Sequence, residues 1–150
     1  MKYKCEVTIN LPREAVVELF RNYDLREHWQ PGLIRLEKVE GTLGEVNGVC
    51  DMYCSMGKRE MIIRETVLEQ HLPDYITSMY VSNGMENIAT EEFIANPNHT
   101  TTYVSEQEFY SNKIINRLLL VFSGKMFRKA TQDALEAFKA FCEGHDLQDE

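Results

Sequence analysis

Residues 7–29 read VTINLPREAVVELFRNYDLREHW, and within them the hydrophobic period changes from two to about three and a half. Ahead of Pro12, Lys4, Glu6, Thr8 and Asn10 alternate with Tyr3, Cys5, Val7, Ile9 and Leu11, the pattern of a strand with one buried face. After it, Ala15/Val16, Leu19/Phe20 and Tyr23 recur at helical spacing, and Pro12 fits a first helical turn, where its missing N–H costs nothing. A strand followed by an amphipathic helix over about 12–22 is predicted. Asp24 then serves as N-cap of a second, very short helix carrying Leu25, His28 and Trp29, which Pro31-Gly32 ends.

Downstream, Gly41, Gly44, Asn47-Gly48, Gly57-Lys58, Pro73-Asp74, Asn83-Gly84 and Asn96-Pro97-Asn98 punctuate segments rich in Val, Ile, Thr, Tyr and Met. Strands are predicted over about 34–44, 49–56, 59–71, 75–83, 86–95 and 100–110, joined as an antiparallel meander. From Ser111 or Asn112 as cap, Ile114, Ile115, Leu118, Leu119, Phe122, Phe127, Ala130, Ala134, Leu135, Phe138, Phe141 and Cys142 share one broad face of a long helix. Gly124 is the expected bend and Gly144 the expected C-cap, before a charged, frayed tail over 143–150. The fold class is α+β: a seven-stranded antiparallel sheet in the order β-α-α-β6-α, with the C-terminal helix as the element large enough to cover its apolar face. A curved sheet and a straight helix do not match everywhere, and the hollow left between them is a small-molecule site.

The chain has 150 residues, 43% hydrophobic and 27% charged, which fits one domain over 1–150. Its formal charge of −8 disfavours phosphate backbones and anionic lipid surfaces, so nucleic acid is not an expected partner. The start, Met1-Lys2-Tyr3-Lys4-Cys5-Glu6, has no secretory pattern, and the apolar run Leu118 to Phe122 is far short of a spanning helix. A cytoplasmic protein without stable membrane insertion is the expectation, and a homodimer is compatible with it. Cys50 and Cys54 on one strand would lie roughly 13 Å apart along it, too far to share a tetrahedral ion. Cys5, Cys50, Cys54 and Cys142 therefore read as buried, reduced thiols, with no metal and no cofactor. There is no Gly-rich phosphate loop, nucleophile elbow, His-x-x-x-His or paired Cys-x-x-Cys, and no basic-aromatic stripe.

The opening VTINLPREAVVELFRNYDLREHW, the central RETVLEQHLPDYI (64–76) and the closing LEAFKAFCEG (135–144) resemble the START-like superfamily, which includes the birch-pollen-allergen fold and the bacterial polyketide cyclase/dehydrase-like proteins. The resemblance runs from Tyr3 to about Glu143. It implies the helix-grip fold, with Ile9-Asn10-Leu11-Pro12 leading into the first helix and the Trp29 helix closing one end of an internal cavity. Members of this group carry or sense lipids, hormones and polyketides, catalyse cyclisation or dehydration, or activate a chaperone.

Three side chains are candidates for acid/base work, namely Glu65, Glu91 and His28. His28 lacks an orienting partner unless Glu27 or Asp24 reaches it, and it reads as a solvated or helix-end histidine, as do His71, His99 and His145. Met61, Ile63 and Val67 turn the odd face of the fourth strand inward, and Glu65 shares that face. Met85, Ala89 and Phe93 do the same on the sixth, together with Asn87 and Glu91. Ile62, Leu68, Ile88 and Ile94 contradict that parity, which favours solvated surface glutamates over inward ones. On the seventh strand Tyr103, Ser105, Gln107 and Phe109 form the cavity face, because the other choice would bury Glu106 and Glu108. The expected ligand contacts are Trp29, Tyr53, Met79, Asn87, Tyr103, Gln107, Phe122 and Met126, and a plain hydrophobic core would explain the same residues. The leading expectation is a carrier of a small hydrophobic or amphipathic ligand. A cyclase- or dehydratase-like acid/base enzyme comes second, and a chaperone-activating type of interaction module, with an exposed apolar patch and no formed cavity, third.

Overall fold

The computed structural model describes residues 1–148. Strand β1 (Lys2–Ile9) is followed by α1 (Arg13–Arg21), a 3-10 turn (Tyr23–Leu25) and α2 (Arg26–Trp29). The meander β2 (Leu33–Glu40), β3 (Val49–Met56), β4 (Arg59–His71), β5 (Tyr75–Ser82), β6 (Met85–Ala95) and β7 (Thr101–Ser111) leads to α3 (Ile114–Phe122) and α4 (Gly124–Gln148). All seven strands form one antiparallel sheet in the order β1-β7-β6-β5-β4-β3-β2, so the first strand pairs with the last. The α+β sheet-and-helix architecture is the one expected.

The period-2 pattern of β1 is realised strictly, with Tyr3, Cys5, Val7 and Ile9 buried and the residues between them exposed. β7 buries Thr101, Tyr103, Ser105 and Gln107 on the same inner face. α4 lies along β1, burying Leu135, Phe138 and Cys142. Side chains of both elements tie them together: Tyr3 Oη of β1 donates to the Phe127 carbonyl at 3.0 Å, and Lys139 Nζ of α4 donates to the Thr8 carbonyl at 2.7 Å. At one end of the sandwich, Phe20 of α1 wedges between Phe93 (ring centroids 5.0 Å apart) and Phe138 (5.8 Å), while Trp29 packs on Phe138 at 4.7 Å. This aromatic plug is dense, and the space between sheet and α4 opens beyond it.

Several boundaries differ from expectation. Asn22, not Asp24, supplies the cap, its Oδ1 accepting from the Asp24 N–H, and the turn that follows is 3-10 before α2 begins. The C-terminal helix is two helices: Ser123 leaves helical geometry (φ −114°, ψ 18°), so the chain breaks one residue before Gly124. The side chain of Ser111 accepts from the Lys113 N–H just ahead of α3. Gly144 lies inside α4, which runs on to Gln148, so most of the expected frayed tail is helical and the rest falls outside the described residues. Gly32, by contrast, is required where it stands. Its φ is +80°, and a Cβ there would sit 2.9 Å from the Ser55 carbonyl oxygen, so only glycine lets the α2–β2 corner press on β3.

Candidate functional site

Between the sheet and α4 lies a cavity of about 710 Å³, open to solvent, of a size that suits a ligand of small-molecule dimensions. Phe20, Trp29, Met52, Ile63, Phe109 and Leu135 make much of its wall apolar. The inward faces of β6 and β7 add a polar stripe. Gln107 Nε2 donates to Ser105 Oγ at 2.6 Å, and Ser105 Oγ donates to Glu91 Oε1 at 3.1 Å. Glu91 and Ser105 are directly opposed across the β6–β7 ladder, which places the carboxyl and the hydroxyl side by side. The other oxygen of Glu91, Oε2, is buried without a hydrogen-bond partner in the protein. Burial pushes the Glu91 carboxyl up to about 7, against the downward pull of the Tyr103 and Ser105 hydroxyls.

Glu65 meets a different fate. It is 2% exposed, and Arg26, 4% exposed, donates to its Oε2 at 2.7 Å. Tyr80 Oη donates to the same oxygen at 2.8 Å, Tyr23 Oη donates to Oε1 at 2.5 Å, and Cys50 Sγ lies 3.7 Å from Oε1. The Arg26 guanidinium also stacks over the Tyr23 ring at 4.2 Å. Burial alone would raise the Glu65 pKa. The charge of Arg26 and the hydrogen bonds from Tyr23, Arg26 and Tyr80 outweigh it and hold the carboxyl below its ordinary value. Burial, and then the Glu65 charge, push the Cys50 thiol up to about 12, so it remains a thiol beside the carboxylate. Glu65 faces a separate hollow of about 40 Å³, whereas Arg26 borders both spaces.

Of the expected ligand contacts, the structure brings Trp29, Asn87, Tyr103 and Gln107 to the cavity wall, with Glu91 among them. Others lie elsewhere. On β3 the buried parity is Cys50, Met52 and Cys54, so Tyr53 points to the outer face, where its hydroxyl donates to Glu37 at 3.1 Å and its ring carries Arg35. On β5 the inner residues are Ile76, Ser78 and Tyr80, which turns Met79 outward. Met126 is 64% exposed because α4 presents Phe127, Ala130 and Thr131 to the cavity instead. The side chain of Phe122 lies outside what the structure describes. His28 is exposed and lies parallel to the Phe141 ring at 6.4 Å, away from the cavity wall. The preference for solvated glutamates at 65 and 91 is corrected: both project inward, and the apolar residues that obscured the parity, Ile62, Leu68 and Ile94, sit exposed on the outer face.

Arg26 is the site residue that sequence reading missed, because an arginine on a short surface helix is ordinarily solvated. The usable signal was its spacing: Tyr23, Arg26 and Trp29 recur at i, i+3, i+6 and so share the inward side of the corner. The four cysteines are free and buried. No helix among the described residues is long and apolar enough to cross a membrane.

With this geometry, solved structures of known folds can be compared over almost the whole chain. An aromatase/cyclase from Streptomyces sp. R1128, Zhui, superposes with a TM-score of 0.80 at 11% identity, covering 95% of this chain and 93% of that one. The protein TTHA0849 from Thermus thermophilus gives 0.78 at 13% identity, covering 97% and 99%. Ara h 8.0201 gives 0.69 at 11%, covering 96% and 98%. The chain has the helix-grip fold. No protein-family model and no curated protein matches the sequence, so the likeness is one of architecture, and architecture does not set chemistry.

Proposed function

We propose that this helix-grip protein binds a small amphipathic ligand in the cavity between sheet and α4. The observation that carries the reading is where unsatisfied polarity sits. Arg26 Nε, Trp29 Nε1 and Glu91 Oε2 are buried without hydrogen-bond partners in the protein, and all three residues line the same largely apolar cavity. Buried polar atoms are normally paired, so a ligand with an apolar body and a head group able to donate and accept fits better than a pure hydrocarbon. Two other proteins with this architecture carry names that point in different directions, an aromatase/cyclase and Ara h 8, and neither fixes a ligand.

The test is extraction of the natively purified protein with organic solvent, followed by thermal-shift titration with matched series of hydrocarbons and their alcohols, acids and phenols. Polar-headed members should raise Tm and hydrocarbons should not, with the preference reduced in Gln107→Ala. An empty extract together with no shift from any series would overturn the reading.

Glu91 favours one second reading, proton transfer on the bound molecule. A carboxyl with a pKa of about 7 on a residue of the cavity wall is matched to acid/base work near neutrality. Exchange of the α-protons of a cavity-bound ketone for deuterium, followed by NMR, should rise through about pH 7 and vanish in Glu91→Gln. Exchange equal to that in buffer would remove it. The formed cavity counts against an interaction module of the cavity-free kind.

A further inference from the structure

Helix α3 is built inside out. Its Asn116 is buried, 8% exposed, and donates from Nδ2 to the Asn83 carbonyl at 3.1 Å. Its apolar side chains face solvent: Ile114 and Ile115 are each 73% exposed, Val121 75%, and Leu118 and Leu119 about half. At 100° per residue these five fall on one side of the helix and Asn116 on the other, so the exposure is a coherent face rather than a scatter. Met126, just past α3 in the chain, is a further exposed apolar side chain, at 64%.

The charge around this face is opposite to that of the rest of the chain. Between Glu108 and Asp133 there is no acidic residue, while Lys113, Arg117, Lys125, Arg128 and Lys129 all lie there, in a chain of net charge −8. All five are exposed, and among the described residues only Lys129 has an ion-pair partner, Asp133. The expectation that the chain avoids anionic lipid rests on its mean charge, which this end does not share. The chain on either side of α3 leads to the cavity wall, through Phe109 before it and Phe127 after it.

We propose that α3, with Met126, is a docking surface for an anionic lipid bilayer: the apolar face enters the headgroup–acyl boundary and the flanking cations meet the lipid phosphates. Apolar side chains fringed by lysine and arginine are the arrangement that holds interfacial helices on such surfaces. Such docking needs no spanning segment, and it does not depend on which ligand the cavity takes.

Flotation of the full chain with vesicles of phosphatidylcholine alone, or with about one-third phosphatidylglycerol, tests this. Binding to the anionic vesicles is expected to be at least about tenfold tighter and to be released by high salt. Arg117→Gln with Lys125→Gln should weaken it roughly thirtyfold, at about five- to sixfold per cation. Ile115→Ser with Leu118→Ser should weaken it at least about tenfold with Tm unchanged, since both side chains are already in solvent. Should that variant lose its fold, Val121→Trp supplies the independent readout, an emission blue shift with anionic vesicles and none with neutral ones. Equal binding to both vesicles, no binding to either, or a concentration-dependent dimer that occupies the face and is abolished by the serine variant would each overturn the proposal.

Discussion

Glu65 on β4 and Glu91 on β6 project from the same face of one sheet, with a single strand between them, and their surroundings treat them oppositely. Around Glu65, an arginine and two tyrosines fill the carboxylate's acceptor sites, so burial is compensated and the group stays ionised. Around Glu91, only the Ser105 and Tyr103 hydroxyls offset burial, no cation among the described residues pairs with it, and burial wins. The difference shows that depth alone does not decide what a buried acid does. The number of donors and a neighbouring charge decide it, and here they separate a carboxylate that braces the α2 corner from a carboxyl on the cavity wall with no cation beside it.

The largest effect expected from breaking this contrast is at the braced end. Arg26→Ala, which strands the Glu65 charge, should destabilise the protein by about 3–5 kcal/mol in urea unfolding, and Arg26→Met combined with Glu65→Leu should recover much of that loss. A double variant as unstable as the single one would mean that the pair does more than compensate its own burial.

The second effect is a pH dependence of opposite sign for the two acids. The folded pKa of Glu65 is depressed, so its contribution is present above the ordinary carboxyl range and lost as pH falls through the lower folded value. For Glu91 the folded pKa is raised to about 7, so the unfolded chain releases the proton first and stability declines as pH rises from the carboxyl range to about 7. Glu91→Gln should abolish that decline and stabilise the protein at pH 8 by roughly 2–3 kcal/mol, read from unfolding curves between pH 4 and 8. Glu65→Gln should leave the neutral-side decline in place while removing the acid-side one. If the two variants gave the same profile, the contrast between the acids would fail.

A third, smaller effect sharpens the role of the open end. Ala134→Phe, directed into the cavity, should abolish the ligand-induced Tm shift while changing intrinsic stability by about 1 kcal/mol or less, since the space is already present. The fluorescence of Trp29, the only tryptophan, should then no longer respond to added ligand. The smallest is His28→Ala. Its side chain is exposed and touches the Phe141 ring outside the cavity, so stability should change by no more than about 0.5 kcal/mol and ligand binding not at all.

Much of the fold was legible because it is written locally. The switch from period two to helical spacing at Pro12, and the glycine and asparagine breaks of the meander, place β1 and α1 and the strands within a few residues of where they lie. The helix-grip resemblance rests on that same punctuation. The cavity stripe on β7 was legible too, because one parity would have buried Glu106 and Glu108, and the sheet indeed turns them outward. Tyr53, Met79 and Met126 were misplaced for a common reason: residue type told that each was apolar enough to line a pocket, while the outer face of this sheet and the exposed side of α4 carry apolar residues as well. The inversion of α3 was hidden for the same reason, since an apolar face reads identically whether it packs inward or waits outside.

By itself, then, the sequence determined the order of elements, the sheet topology that short connections allow, and an inner face for β1 and β7, because periodicity and turn chemistry act over a few neighbouring residues. Only the tertiary structure decided that Arg26 reaches Glu65 across 39 positions, that Glu91 is left with an unpaired oxygen, and that α3 turns Ile114, Ile115, Leu118, Leu119 and Val121 to solvent. Those outcomes depend on desolvation and charge at distances of a few ångströms between segments far apart in the chain, and no local pattern encodes them.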